Sequence, residues 1–216
     1  GHGIGCSGIV VVGPDILEID ADQRHVPQLL QDLWLTRANT IKTPRVKLTA
    51  AEAEAVESRP LLEGPEATKF RSGTMRCAYL SQDRVDISES VKCLAQAMAR
   101  PRAGHLVQLK RPARYLKGAA RRALQYPAQD PSGADLLVHT DSDWAGEPIS
   151  RRSTSGVILR RGRHLLRHSS AVQSVIGLSS LASEYYALTK GGCSGLGLQS
   201  RLADWGLQLQ LLLHTD

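Results

Sequence analysis

Aromatic side chains are scarce in this chain of 216 residues, at 4%, so a core has to be assembled from Leu, Val, Ile and Ala. Cysteine is sparse as well. Cys6, Cys77, Cys93 and Cys193 are scattered, with neither a CxxC pair nor a Cys/His spacing suited to zinc. That excludes a small domain stapled by disulfides or zinc. It fits free, mostly buried thiols in a reducing compartment, hence an intracellular protein of cytoplasm or nucleus. No apolar run is long enough to span a bilayer and no leader pattern is present, so no membrane partner is expected. Acidic excess is lacking too: the formal net charge is +6 and the pI about 9.4, a balance that suits a polyanionic partner. What remains, 42% hydrophobic and 22% charged, is the make-up of an ordinary globular chain, long enough for one large or two small domains. The first residue is Gly1, which reads as a piece of a longer product.

The stretch that organises the rest is 136–146, LLVHTDSDWAG. Leu136, Leu137 and Val138 open a strand, His139 and Thr140 continue it, and it closes on Asp141 and Asp143. A period of two puts both carboxylates on one face. Acids at the end of a buried strand need a cationic or N–H partner. A metal site and a strand running into an Asp-rich turn both satisfy that need.

Along the chain, the apolar run 9–12 and the alternating run 16–21 read as strands. GHGIGC at the start lacks the preceding strand and following helix of a dinucleotide loop. Residues 22–35 read as a helix capped by Asp20 or Asp22, with Val26, Leu29, Leu30 and Leu33 at helical spacing and Pro27 in its first turn. Residues 37–64 read as a mobile connector with one short helix near 50–57, followed by helices over 66–81, 86–99 and 104–117. Pro112 is expected to kink the last of these or to start a new helix. The Pro-, Gly- and Asp-containing segment 126–135 reads as a domain boundary. Beyond the opening strand, 155–160 and 164–168 read as a hairpin turning at 161–163, and 172–178 as an extension of the sheet. A helix capped by Ser179 or Ser180 follows, with Glu184 in its first turn and Leu181, Tyr185 and Leu188 on one face. Gly191, Gly192, Gly195 and Gly197 are expected to break it, each costing about 1 kcal/mol against Ala. Residues 207–215 read as the last strand, ending at Asp216.

Four blocks stand in order: TDSDWAG at 140–146, RRSTSG at 151–156, SSLASEYYAL at 179–188, and the terminal HTD. In this order they resemble the ribonuclease H domain of copia-type retrotransposon polyproteins. Upstream, Phe70-Arg71, Tyr79-Leu80, Arg84-Val85-Asp86-Ile87, Pro101 with His105, the run RYLKG at 114–118, and Leu124 with Tyr126 resemble the reverse-transcriptase tail of the same polyproteins, with Val85 in place of the usual Pro. The polymerase motif YVDD is absent from this chain.

The resemblance implies an α+β fold: a helical thumb or connection segment, then a ribonuclease H-like mixed sheet of three antiparallel strands, a helix, and a fourth strand parallel to the first. The expected divisions are 1–64 (reverse-transcriptase tail), 65–130 (helical thumb or connection) and 131–216 (ribonuclease H-like, lacking the family's last elements and fourth acid). It implies Asp141, Glu184 and Asp216 as catalytic metal ligands for two Mg²⁺ ions, with Mn²⁺ as a substitute, cutting the RNA strand of an RNA–DNA hybrid. The rest of the Pol polyprotein is the implied protein partner, and a virus-like particle the setting if the element is active. Each acid has a plainer reading: Asp143 as a turn former, Glu184 as a complement to the helix dipole, Asp216 as a chain end. His139, His168 and His214 read as strand residues, Trp144 as packing, and Arg161 and Arg163 as turn residues. The residues themselves suggest one more feature, since no acid interrupts the basic run 100–122. Lys110, Arg111, Arg114, Lys117, Arg121 and Arg122, with Arg151 and Arg152 of the RRSTSG block, are candidate nucleic-acid contacts. Two other classes of function stay open: an inactive remnant that binds hybrid duplexes, and a connection module.

Overall fold

A computed structural model describes residues 2–4, 8–119, 121–129 and 135–215. The chain is mixed α and β and divides into two compact units, one holding residues 1–13 and 18–124, the other 14–17 and 125–216. Strands β1 (His2–Ile4), β2 (Gly8–Val12), β3 (Ile16–Ala21) and β4 (Leu124–Pro127) form a sheet in that order, with β1 and β2 antiparallel. β4 runs into the first two residues, Tyr126 and Pro127, of the segment expected to be a domain boundary.

The first unit is built on α1 (His25–Asp32), α2 (Ala50–Glu57), α3 (Gly64–Leu80), a 3-10 turn (Val85–Ile87), α4 (Ser88–Gln96) and α5 (Ala103–Gly118). Its core gathers Leu29, Leu33, Phe70, Cys77, Leu80, Ile87, Leu109 and Leu116. Burial pushes the Cys77 thiol up to about 12, so it behaves as an inert apolar group. Cys93 is half-buried and Cys193 exposed, while Cys6 lies outside the described residues. α1 is shorter than its apolar spacing suggested. The Asp22 carboxylate takes the Arg24 amide and guanidinium before the helix starts, which holds its carboxyl down to about 2, and neither Asp20 nor Asp22 is the N-cap residue. At the other end Trp34 adopts φ 58°, and the Trp34 and Leu35 amides close back on Gln31 and Leu30. A left-handed residue there stops the helix. Pro112 neither kinks α5 into two helices nor starts a new one. The helix continues through it because Leu109, Pro112, Ala113 and Leu116 are all buried, and that packing offsets the hydrogen bond that proline cannot donate.

The second unit is a sheet with strand order β7-β6-β5-β8 and one long helix. β5 (Leu136–Asp143), β6 (Thr154–Arg161) and β7 (His164–Val172) run antiparallel to their neighbours, and β8 (Leu211–His214) pairs parallel with β5 from Leu136↔Leu211 to His139↔His214. These strand directions are the expected ones. The last strand is shorter than 207–215, and 173–178 is not strand at all. Beyond Val172 the chain leaves the sheet because the Gln173 side chain turns inward and the Gly177 carbonyl accepts from Trp144 Nε1 at 3.0 Å.

Helix α6 (Ser180–Asp204) is capped by Ser179, whose hydroxyl accepts from the Ala182 amide at 3.1 Å. It runs unbroken through its glycines, contrary to expectation. Its buried face is Ser183, Ala187, Gly191, Gly195 and Leu202, whereas Leu181 and Tyr185 of the expected packing face are 79% and 70% exposed. The reason is distance. A Cβ on Gly191 would lie 2.3 Å from Thr140 Cγ2, and one on Gly195 2.8 Å from Val138 Cγ2. Helix and sheet are too close for anything larger, so the bulky side chains are turned outward.

Candidate functional site

The end of β5 and the start of α6 meet through a buried polar cluster. β5 alternates, with Leu136, Val138 and Thr140 buried and Asp141 and Asp143 exposed. The even-numbered face carries Ser142 toward α6. There the Ser142 amide and hydroxyl both donate to Glu184 Oε1, at 3.2 and 2.8 Å, and the Ser142 and Ser183 hydroxyls are 2.8 Å apart. Glu184 stands in the second turn of α6 rather than the first, and its carboxylate takes donors from β5. Its other oxygen, Oε2, is buried and has no hydrogen-bond partner among the described residues. A buried carboxylate oxygen without a donor is costly unless a cation or water meets it.

The sequence singled out three acids. Asp141 and Glu184 are brought to one end of the sheet, with Glu184 bonded to the residue that follows Asp141 in the chain. Asp216 lies outside the described residues. In sequence it stands two positions beyond His214, as Asp141 stands two beyond His139, and these histidines are register partners whose rings stack with centroids 5.2 Å apart. Among the described residues no group of three His, Cys, Asp or Glu side chains gathers as a metal site. Asp143 ends β5 and opens a turn, its carbonyl accepting from the Gly146 amide at 3.2 Å. Trp144 is half exposed rather than core. Sequence reasoning missed Ser142, Ser183 and Gln173. Two serines and a glutamine carry no motif, and only their burial reveals them.

The candidate basic contacts fare unevenly. Lys117 Nζ donates to the Thr36 and Ala38 carbonyls at 2.8 Å, Arg114 Nε to the Asn39 carbonyl at 2.7 Å, and Arg111 Nη2 to Thr43 Oγ1 at 2.7 Å. Arg121 pairs with Glu18 and Asp20, and Arg122 approaches Asp86 at 3.8 Å. The stretch expected to be a mobile connector is therefore fastened to α5 by that helix's own cations. Lys110 is half-buried on the same helix. Arg151 and Arg152 are exposed at the tip of the β5–β6 loop, where Arg151 adopts φ 57° and the Glu147 and Arg152 backbones close the loop.

No family model matches the chain, and no solved structure matches it. It is 29% identical, over 88% of its length, to the retrovirus-related Pol polyprotein from transposon RE1 of Arabidopsis thaliana, and 28% identical over 91% to that from transposon TNT 1-94 of Nicotiana tabacum. It spans 12% and 15% of those two polyproteins. It is also 35% identical to secreted RxLR effector protein 161 of Plasmopara viticola, over 50% of this chain and 74% of that protein.

Proposed function

We propose that this chain, similar over most of its length to retrotransposon Pol polyproteins, is a piece of a copia-type Pol polyprotein, and that its second unit is a ribonuclease H-type module that hydrolyses the RNA strand of an RNA–DNA hybrid. Its remaining partner in this reading is the rest of the Pol polyprotein, and its first unit is the thumb or connection that precedes the nuclease.

The observation that carries the reading is Glu184, held by Ser142 through one oxygen and presenting a second, buried oxygen without a donor. An all-oxygen set of this kind suits hard cations such as Mg²⁺ or Mn²⁺. Asp141, Glu184 and Asp216 would hold them, and Asp141 is exposed and open to such a role. When bound, divalent ions of this kind supply a Lewis acid for the attacking water and for the leaving 3′-oxygen. What the chain itself contributes is positioning. Ser142 orients the Glu184 carboxylate, the rigid β5 backbone presents Asp141, and the loop arginines Arg151 and Arg152 meet the phosphate backbone. With Arg111, Arg114 and Lys117 of α5 bonded to residues 36–43, Arg151 and Arg152 are the stronger phosphate contacts. That same engagement of α5 favours a second reading for the first unit, a connection module with no chemistry of its own.

The test is cleavage of a labelled RNA–DNA hybrid with Mg²⁺ or Mn²⁺, comparing the chain with its Asp141→Asn and Glu184→Gln variants. Metal-dependent cutting, reduced by about 100-fold or more in either variant, is expected. Salt-sensitive hybrid binding with no cutting would replace the nuclease reading by one of a binding remnant.

A further inference from the structure

Gln173 follows the last residue of β7 and is 6% exposed. A glutamine so deeply placed needs its amide satisfied, and each of its bonds reaches a different element. Its backbone N–H donates to the Ser153 carbonyl at 2.8 Å, just before β6. Its side-chain Nε2 donates to Ser155 Oγ at 3.0 Å within β6 and to the Ser183 carbonyl at 2.9 Å within α6. Ser155 and Ser183 are themselves 1% and 0% exposed. The Ser183 carbonyl can only accept, so the amide orientation follows from it, and Gln173 Oε1 is left buried with no partner among the described residues. A single side chain thus ties the end of β7, the start of β6 and the opening turns of α6.

Glu184 is the next residue after Ser183. The Ser183 hydroxyl touches the Ser142 hydroxyl at 2.8 Å, and Ser142 donates to Glu184 Oε1 at 2.8 Å. If Ser142 gives its one proton to the carboxylate, Ser183 must be the donor to Ser142. Ser183 also lies 2.9 Å from the Ser180 carbonyl, so its single proton has two competing acceptors. The position of the Ser183 backbone decides between them, and Gln173 holds that backbone.

We infer that Gln173 is a positioning residue for Glu184, acting through Ser183 and Ser142. This rests on the nuclease reading only for its consequence in metal binding. The positioning itself is read independently. The Ser142 amide proton, bonded to Glu184 Oε1 at 3.2 Å, reports where the carboxylate stands in metal-free protein.

The experiment compares the chain with Gln173→Met, which keeps side-chain length and removes the donors, and with Ser155→Ala, which removes one acceptor. Glu184→Gln serves as reference. Amide spectra of metal-free protein are recorded, then Mn²⁺ is titrated by its paramagnetic signal. Gln173→Met should move the Ser142 resonance toward its place in Glu184→Gln and weaken Mn²⁺ binding by about 10-fold or more, the usual loss when a group behind a ligand is removed. Ser155→Ala should do the same to a smaller extent, and it stands in if Gln173→Met fails to fold. A Gln173→Met protein that melts earlier but keeps the wild-type Ser142 resonance would overturn the inference, since Gln173 would then only stabilise the fold. Should the wild type bind no Mn²⁺ near Glu184, the nuclease reading falls, while the Ser142 resonance still decides the role of Gln173.

Discussion

Two partly buried carboxylates, one in each unit, are treated differently. In the helical unit, Asp86 receives both arms of Arg84 at 3.0 and 2.9 Å and the Tyr115 hydroxyl at 2.6 Å. Burial pushes its carboxyl up, yet the bonds from Arg84 and Tyr115 and the charges of Arg84 and Arg122 outweigh that and hold it below its ordinary value. Arg84 itself is 1% exposed, tolerable only because its guanidinium is matched by a carboxylate. In the sheet unit, Glu184 is matched on one oxygen alone among the described residues. The surroundings differ in the same sense. The helical unit packs a broad apolar core around Phe70, whereas the sheet unit buries Val138, Val157 and Leu159 beside a wedge of Thr140, Ser153, Ser155, Gln173 and Ser183. A carboxylate with its bonding capacity filled belongs to the architecture. One with capacity left over, facing a strand end, can take a ligand.

The sharpest way to break this contrast is to remove the aromatic ring at the centre of the helical unit. Phe70→Ala should cost about 3–5 kcal/mol. In native-state hydrogen exchange, protection should fall at Leu109 and Leu116 of α5 while Val138 and Leu159 of the sheet keep theirs. Equal loss in the sheet would mean that the two cores do not behave as separate structures.

A second contrast lies within one helix. Gly191→Ala should destabilise the sheet unit by about 1–3 kcal/mol, because the added methyl meets Thr140 and the helix must back away. Gly197→Ala meets nothing within 4 Å and should stabilise it by up to about 1 kcal/mol through helix propensity alone. Urea midpoints of the two variants shifting in the same direction would refute the close-approach account of the glycines.

The smallest expected effect is a pH dependence confined to the helical unit. His105 Nδ1 accepts from the Arg102 amide at the start of α5, and Nε2 faces Glu57 at 3.2 Å. Burial, with the Arg102 charge behind it, lowers its pKa from 6.5 against the opposing pull of Glu57. The unfolded chain then binds the proton more readily than the folded one, so this contribution is full above about pH 6.5 and is lost as pH falls through the lower folded value. Between pH 7.5 and 5.5 the α5 amides should lose protection in the wild type and lose less in His105→Gln. A wild-type unit indifferent to this range would show that the cap does not depend on neutral imidazole.

Much of the architecture was legible in the residues. The apolar run opening at Leu136 and closing on acids predicted β5, the hairpin expected over 155–168 declared itself by its turn, and Ser179 announced the start of α6. The candidate site was legible in its acids and not in its supports. Leu181, Tyr185 and Leu188 looked like a packing face because apolar spacing cannot know that the sheet lies within reach of a single methyl. The glycines looked like breaks for the same reason. The cations of α5 looked free for phosphates because their partners at residues 36–43 stand some seventy positions away in sequence.

By itself, then, the sequence pointed to the family, the order of the blocks, most of the strands and helices, and which acids to examine, since all of these follow from local pattern and motif. Only the tertiary structure decided which helix face is buried, which cations are already bonded, and that Glu184 is steadied by Ser142 with Ser183 and Gln173 behind it. Those are matters of distance between residues remote in the chain, and distance exists only once the chain has folded.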